Sequence, residues 1–126
     1  MNMDWPTIWI IAGVIAAVWV FKRMSFIAPD DARKFLRQGA MVVDVRAAGE
    51  YRGGHLPEAV NIPLGELQSS LPQRVTDKNQ VILLHCLSGT RSGIAKRQLQ
   101  GMGYANVFNL GSYGRAGKIL SSARGN

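Results

Sequence analysis

Hydrophobic and polar positions divide most of the chain into short apolar runs that alternate with helix-like stretches. Four runs read as strands: Met41–Val45, Val60–Ile62, Val81–Cys86 and Asn106–Leu110. Residues 24–28 read as a short link running into a first strand. Residues 29–39 read as a helix, with Pro29, Asp30 and Asp31 in the first turn, basic residues further along and Gly39 as the stop. Leu64–Leu71 reads as a short helix before Pro72, and Ser92–Met102 as a longer one. Strands alternating with helices predict an α/β fold, a parallel sheet flanked by helices. In such sheets the site lies at the carboxyl ends of the strands, where Asp44, Arg46 and Cys86 fall.

The first 24 residues break this rhythm. Trp5–Phe21 is a run of 17 uncharged residues bracketed by Asp4 and by Lys22-Arg23. That is the lower end of what a helix needs to cross a bilayer, about 17–25 residues. A cleaved signal peptide wants positive charge before the run and a small-residue cleavage site after it, and neither is present. The pattern therefore predicts an N-terminal transmembrane helix through residues 5–21 that contacts the lipid bilayer. Lysine and arginine follow the run and none precedes it, so the C-terminal side, with the whole α/β region, is expected in the cytoplasm. Gly13 and Ala17 form a small-xxx-small pair that would bring two such helices together as a homodimer. The expected organisation is an anchor with its basic flank over 1–24, a domain over 25–114 and a basic tail over 115–126.

The net charge of +7 in 126 residues invites a nucleic-acid reading. However, the basic residues are spread along the chain and all three tryptophans lie within the first 19 positions. With no aromatic-basic interleaving and no zinc-finger spacing, the charge is read as serving a membrane surface and anionic substrates, not nucleic acid. One cysteine excludes an internal disulfide and a CxxC pair. Two histidines with that cysteine do not make a metal cluster, and no cofactor is implied. Gly111, Gly114 and Gly117 lack a dinucleotide-binding spacing, so the tail carries no nucleotide role.

Cys86 stands where the third apolar run stops and a helix begins, in His85-Cys86-Leu87-Ser88-Gly89-Thr90-Arg91-Ser92-Gly93. Loop amides and first-turn N–H groups favour negative charge at that point, and Arg91 adds a full positive charge. Such surroundings lower a thiol pKa, and the thiolate is the nucleophile. The small residues let the backbone curl around an anion. The competing assignment is a buried cysteine packed as a small hydrophobe.

Four further segments extend this loop into a pattern: Asp44-Val45-Arg46, Glu50-Tyr51, Gly54–Pro63, and Gly103–Leu110. In this order the sequence resembles the single-domain rhodanese-like sulfurtransferases, over residues 25 to about 114. The resemblance implies that Cys86 accepts a sulfane sulfur from a small anionic donor such as thiosulfate or a persulfide. Cys86 would then pass it to a thiol or cyanide-like acceptor. It implies backbone amides of Leu87, Ser88, Gly89, Thr90, Arg91 and Ser92 around the terminal sulfur, with Arg91 also holding the donor. Asp44, Arg46, Glu50 and His55 match positions that chiefly brace the structure. The family often carries a tryptophan after the last strand, where this chain has Tyr113-Gly114, and His85 stands where an aromatic residue is more frequent.

Two other classes stay open. Cysteine phosphatases and arsenate reductases of the same fold read His-Cys, five residues, then arginine. Here four residues separate Cys86 from Arg91, and Ser92 occupies the arginine position. A membrane-tethered binding module without catalysis is the third class, although an inactive copy would typically lack the cysteine.

Overall fold

The computed structural model describes residues 2–24 and 26–125, with side chains described from residue 26 onward and up to residue 21. Ser25, inside the expected link and at the expected domain start, lies outside the described residues, as do the side chains of the basic flank Lys22-Arg23. Ten elements are named here: helix α1 (Trp5–Met24), α2 (Pro29–Arg37), strand β1 (Met41–Asp44), α3 (Ala48–Arg52), β2 (Val60–Asn61), α4 (Leu67–Arg74), β3 (Ile82–His85), α5 (Thr90–Gly101), β4 (Val107–Gly111) and α6 (Tyr113–Arg124). A 3-10 turn, Leu64–Glu66, leads into α4.

The four strands form one parallel sheet in the order β2-β1-β3-β4. A parallel sheet covered on both faces needs apolar residues at successive positions, which is why β3 reads as an unbroken run. All four of its residues are buried. Val43, Leu84 and Cys86 face α4 and α5, where Leu67, Leu71, Ala95 and Leu99 complete one core. Val42 and Leu83 face the other way, against Ala32 of α2 and Ala116, Ile119 and Leu120 of α6. Each fully buried leucine contributes about 1.5–3 kcal/mol relative to exposure. The register of β3 against β4 slips between Leu84 and His85, so that His85 pairs with Gly111. Bulges of this kind re-aim side chains at strand ends.

Two expectations are corrected. The stretch over 115–126, read as a tail, is helical through Arg124 and belongs to α6. Ser112 caps it by accepting a hydrogen bond from the Arg115 N–H, and Ala116, Ile119 and Leu120 bury a stripe at helical spacing. Glycine and serine masked that stripe in the sequence. The second correction concerns the N-terminus. Trp5–Met24 is helical, but among the described residues no helix is long and apolar enough to cross a membrane. The 17 uncharged residues rise only about 25 Å, short of the roughly 30 Å hydrocarbon core, and Lys22 and Arg23 fall in the last turn of the helix. The bilayer contact and the helix-pair dimer expected through residues 5–21 have no support in the fold. The described side chains of α1 are exposed on every face.

The chain joins the sheet just after α1. Phe26 bridges Asn109 in a parallel sense, and the Ile27 N–H donates to the Asn109 carbonyl at 2.9 Å. The expected first strand is thus a single bridge on the β4 edge.

Candidate active site

Cys86 ends the run of β3 and is fully buried. The five residues after it form a cradle because Gly89 adopts φ +97°, a left-handed conformation natural to glycine. A side chain there would also collide with Phe26, since a Cβ would lie 2.7 Å from its ring. The turn brings the Gly89 N–H to 3.0 Å from Cys86 Sγ and the Ser92 hydroxyl to 3.5 Å. Burial pushes the thiol pKa up. Hydrogen bonds from the Ser92 hydroxyl and from the amides of Ser92, Gly89 and Ser88 outweigh it and hold the thiol below its usual 9.0. Hydrogen bonds of this kind favour the thiolate, the nucleophilic form of a cysteine.

The cradle is braced from β4 and α6. Asn109 accepts from the Ser92 hydroxyl at 2.7 Å and from the Gly111 N–H at 2.8 Å, and it donates to the Gly89 carbonyl at 3.1 Å. Ser88 bridges Ser112, and the Tyr113 N–H donates to the Leu87 carbonyl at 3.1 Å. Sequence reasoning missed Asn109. Its signal was one amide in the otherwise apolar run Val107–Leu110, a polar group that must find buried partners.

Arg91 leaves the cradle toward the exposed side and meets Glu50 in a two-pronged pair, at 2.6 and 3.0 Å. The Arg91 side-chain hydrogen bond, followed by that from the Ala47 N–H, lowers the Glu50 pKa to about 2. The positive charge expected to act directly on Cys86 is therefore engaged by a carboxylate. Leu87, Ser88 and Thr90 are exposed at the rim, whereas Gly89 and Ser92 are buried.

Asp44 and Arg46 form a separate, buried pair beneath the site. The Asp44 carboxylate accepts from the Arg46 N–H at 2.9 Å and from its guanidinium at 2.8–3.0 Å. Arg46 also donates to the Gly54 carbonyl at 2.8 Å and lies over the Tyr113 ring at 4.7 Å. His85 is buried beside this pair, with Nε2 at 3.7 Å from Asp44 Oδ2 and Nδ1 at 3.2 Å from the Cys86 carbonyl. Burial depresses its pKa, against the pull of Asp44. His55 is exposed, stacked on Tyr51 at 3.8 Å between ring centres, with Nδ1 at 3.0 Å from the Tyr51 carbonyl. The structure thus gathers Cys86, Gly89, Ser92 and Asn109 around the sulfur. It sets Arg91 with Glu50 at the rim, Asp44 with Arg46 below, and His55 outside.

Residues 28–113 match the model of the rhodanese-like domain. The chain belongs to the rhodanese-like family. Thiosulfate sulfurtransferase PspE of Escherichia coli (strain K12) is 41% identical over 69 residues, covering 55% of this chain and 66% of that protein. Thiosulfate sulfurtransferase GlpE of Pseudomonas savastanoi pv. phaseolicola is 31% identical over 90 residues, covering 71% of this chain and 80% of that protein. Among solved structures, a rhodanese with anions from E. coli superposes with a TM-score of 0.59 at 36% identity, covering 61% of this chain and 91% of that one. The chain spans just under two thirds of the length of PspE and a larger share of GlpE.

Proposed function

We propose that this rhodanese-like chain is a sulfurtransferase in which Cys86 carries sulfur as a persulfide, with thiosulfate as a donor. The observation that carries this reading is a buried thiol that receives hydrogen bonds from the Gly89 N–H at 3.0 Å and the Ser92 hydroxyl at 3.5 Å. The similarity to two thiosulfate sulfurtransferases supports it.

In the first step the Cys86 thiolate attacks the outer sulfur of thiosulfate. A new S–S bond forms to Cys86 while the old one breaks, and sulfite leaves with the bonding electron pair. Amides of Leu87 to Ser92 take up the charge on the terminal sulfur, as preorganised donors do for any developing anion. Arg91 holds the anionic donor at the rim, sharing its fork with Glu50. In the second step a thiol or cyanide-like acceptor attacks the terminal sulfur, and Cys86 leaves as thiolate. The lowered pKa of the thiol eases formation of the thiolate that makes the attack. Asp44, Arg46, Glu50 and His55 position these parts, and among the described residues the hydrogen bonds to Cys86 Sγ come from Gly89 and Ser92 instead.

The test is intact mass of the full chain before and after thiosulfate, beside Cys86→Ser. Gain of one sulfur atom by the wild type alone is expected. Hydrolysis of an aryl phosphate without sulfur gain would replace this reading with the phosphatase class. Neither reaction, across thiosulfate and persulfide donors, would leave a binding module.

A further inference from the structure

A cavity of about 460 Å³ opens beside α5, of the size that small ligands occupy. It adjoins the sulfur site, since Ser88, Gly89 and Thr90 of the cradle and Asn109 line it, but neither Cys86 nor Arg91 does. Lys96 and Arg97 of α5 supply its charge, Thr90 and Gln100 add neutral polar groups, and Phe21 and Phe26 form an apolar wall. Among the described residues no aspartate or glutamate lines it, and α5 itself contains none. Among the described residues neither Lys96 nor Arg97 makes an ion pair or a side-chain hydrogen bond, unlike Arg46 and Arg91. Two uncommitted cations in a concave site favour an anion, since a bound anion loses less to solvent screening there than on a flat surface. The aromatic wall adds a demand that a bare inorganic anion does not meet. Phe21 also continues the exposed apolar surface of α1 to the mouth of the cavity.

We propose that this cavity binds an anion bearing an apolar tail, with the anionic group on Lys96 and Arg97 and the tail against Phe21 and Phe26. A free amphiphile and an anionic lipid share this chemistry. The wall is coupled to the thiol as well. Phe26 packs on Gly89, whose N–H holds Cys86 Sγ.

The test is calorimetric titration of the full chain with decyl phosphate below its micelle-forming concentration. Inorganic phosphate and the double variant Lys96→Gln/Arg97→Gln serve as comparisons. Saturable binding of decyl phosphate is expected, weakened at least about tenfold for inorganic phosphate and for the variant. Unchanged circular dichroism and retained sulfur uptake at Cys86 verify that the variant is folded. Vesicles distinguish the source. Capture by phosphatidylglycerol over phosphatidylcholine, lost in the variant, identifies a lipid headgroup, whereas decyl phosphate binding without such capture identifies a free amphiphile. Absent binding, or equal binding by wild type and variant, would overturn the proposal.

Discussion

Two carboxylate–arginine pairs flank the sulfur site, and they differ in depth. Asp44–Arg46 is buried, with Asp44 fully removed from solvent, whereas Glu50 and Arg91 each keep 35% of their side-chain exposure. Identical chemistry then has different consequences. The buried pair cannot exchange partners without stranding a charge in low dielectric, so it fixes the end of β1 and the start of the excursion to α3. The rim pair is wet enough that an anion from solution can compete with Glu50 for the Arg91 fork. Depth separates a brace from a group available for binding.

The largest effect should come from breaking the buried pair. Arg46→Met leaves the buried Asp44 carboxyl without its partner and should cost about 3–5 kcal/mol, read as a lower denaturant midpoint. Sulfur uptake per folded molecule should survive. The rim pair should respond in the opposite way. Glu50→Gln should leave the midpoint nearly unchanged and slow sulfur uptake from thiosulfate on the order of tenfold, because Arg91 loses its orientation. If both variants lower stability alike, the contrast of depth fails.

Acid sharpens the same contrast. Glu50 has a folded pKa of about 2 against an ordinary 4.5, so its contribution to stability is fully present above 4.5 and is lost as pH falls through 2. The midpoint difference between wild type and Glu50→Gln, small because the pair is exposed, should therefore stay flat above about pH 5 and vanish below it. Any pH dependence of alkylation at neutral to basic pH then belongs to Cys86. Its alkylation midpoint should lie below the usual 9.0, and Ser92→Ala should raise it by removing a hydrogen bond to the thiolate. That is the smallest of these effects. An unmoved midpoint would assign the shift to the amides alone.

Legibility in the sequence followed the strength of local pattern. Strand β3 was readable because both of its faces are buried, which leaves an unbroken apolar run, and β1 and β4 because a single polar residue, Asp44 or Asn109, is all that interrupts theirs. Cys86 and its loop were readable because glycine, arginine and a single thiol concentrate in nine residues. The tail failed because Gly114, Gly117, Ser121 and Ser122 lower helix propensity, while packing of Ile119 and Leu120 on the sheet overrides it. The 46–57 excursion hid α3, which is only five residues long. Arg91 was legible as a cation but not as a paired one. Its partner lies 41 residues away, and only the folded sheet brings Glu50 to it.

The bridge from Phe26 to Asn109 has a practical consequence for where this chain can be cut. The matched family segment starts at residue 28 and stops at 113. Expression of that segment alone would unzip Phe26 and Ile27 from β4 and remove the Arg115 side chain that bonds the Leu110 and Ile27 carbonyls. It would also discard most of α6. The product would display a bare β4 edge beside an uncovered apolar face, a template for intermolecular pairing. Cut sites should instead preserve Phe26 at one end and α6 through Arg124 at the other.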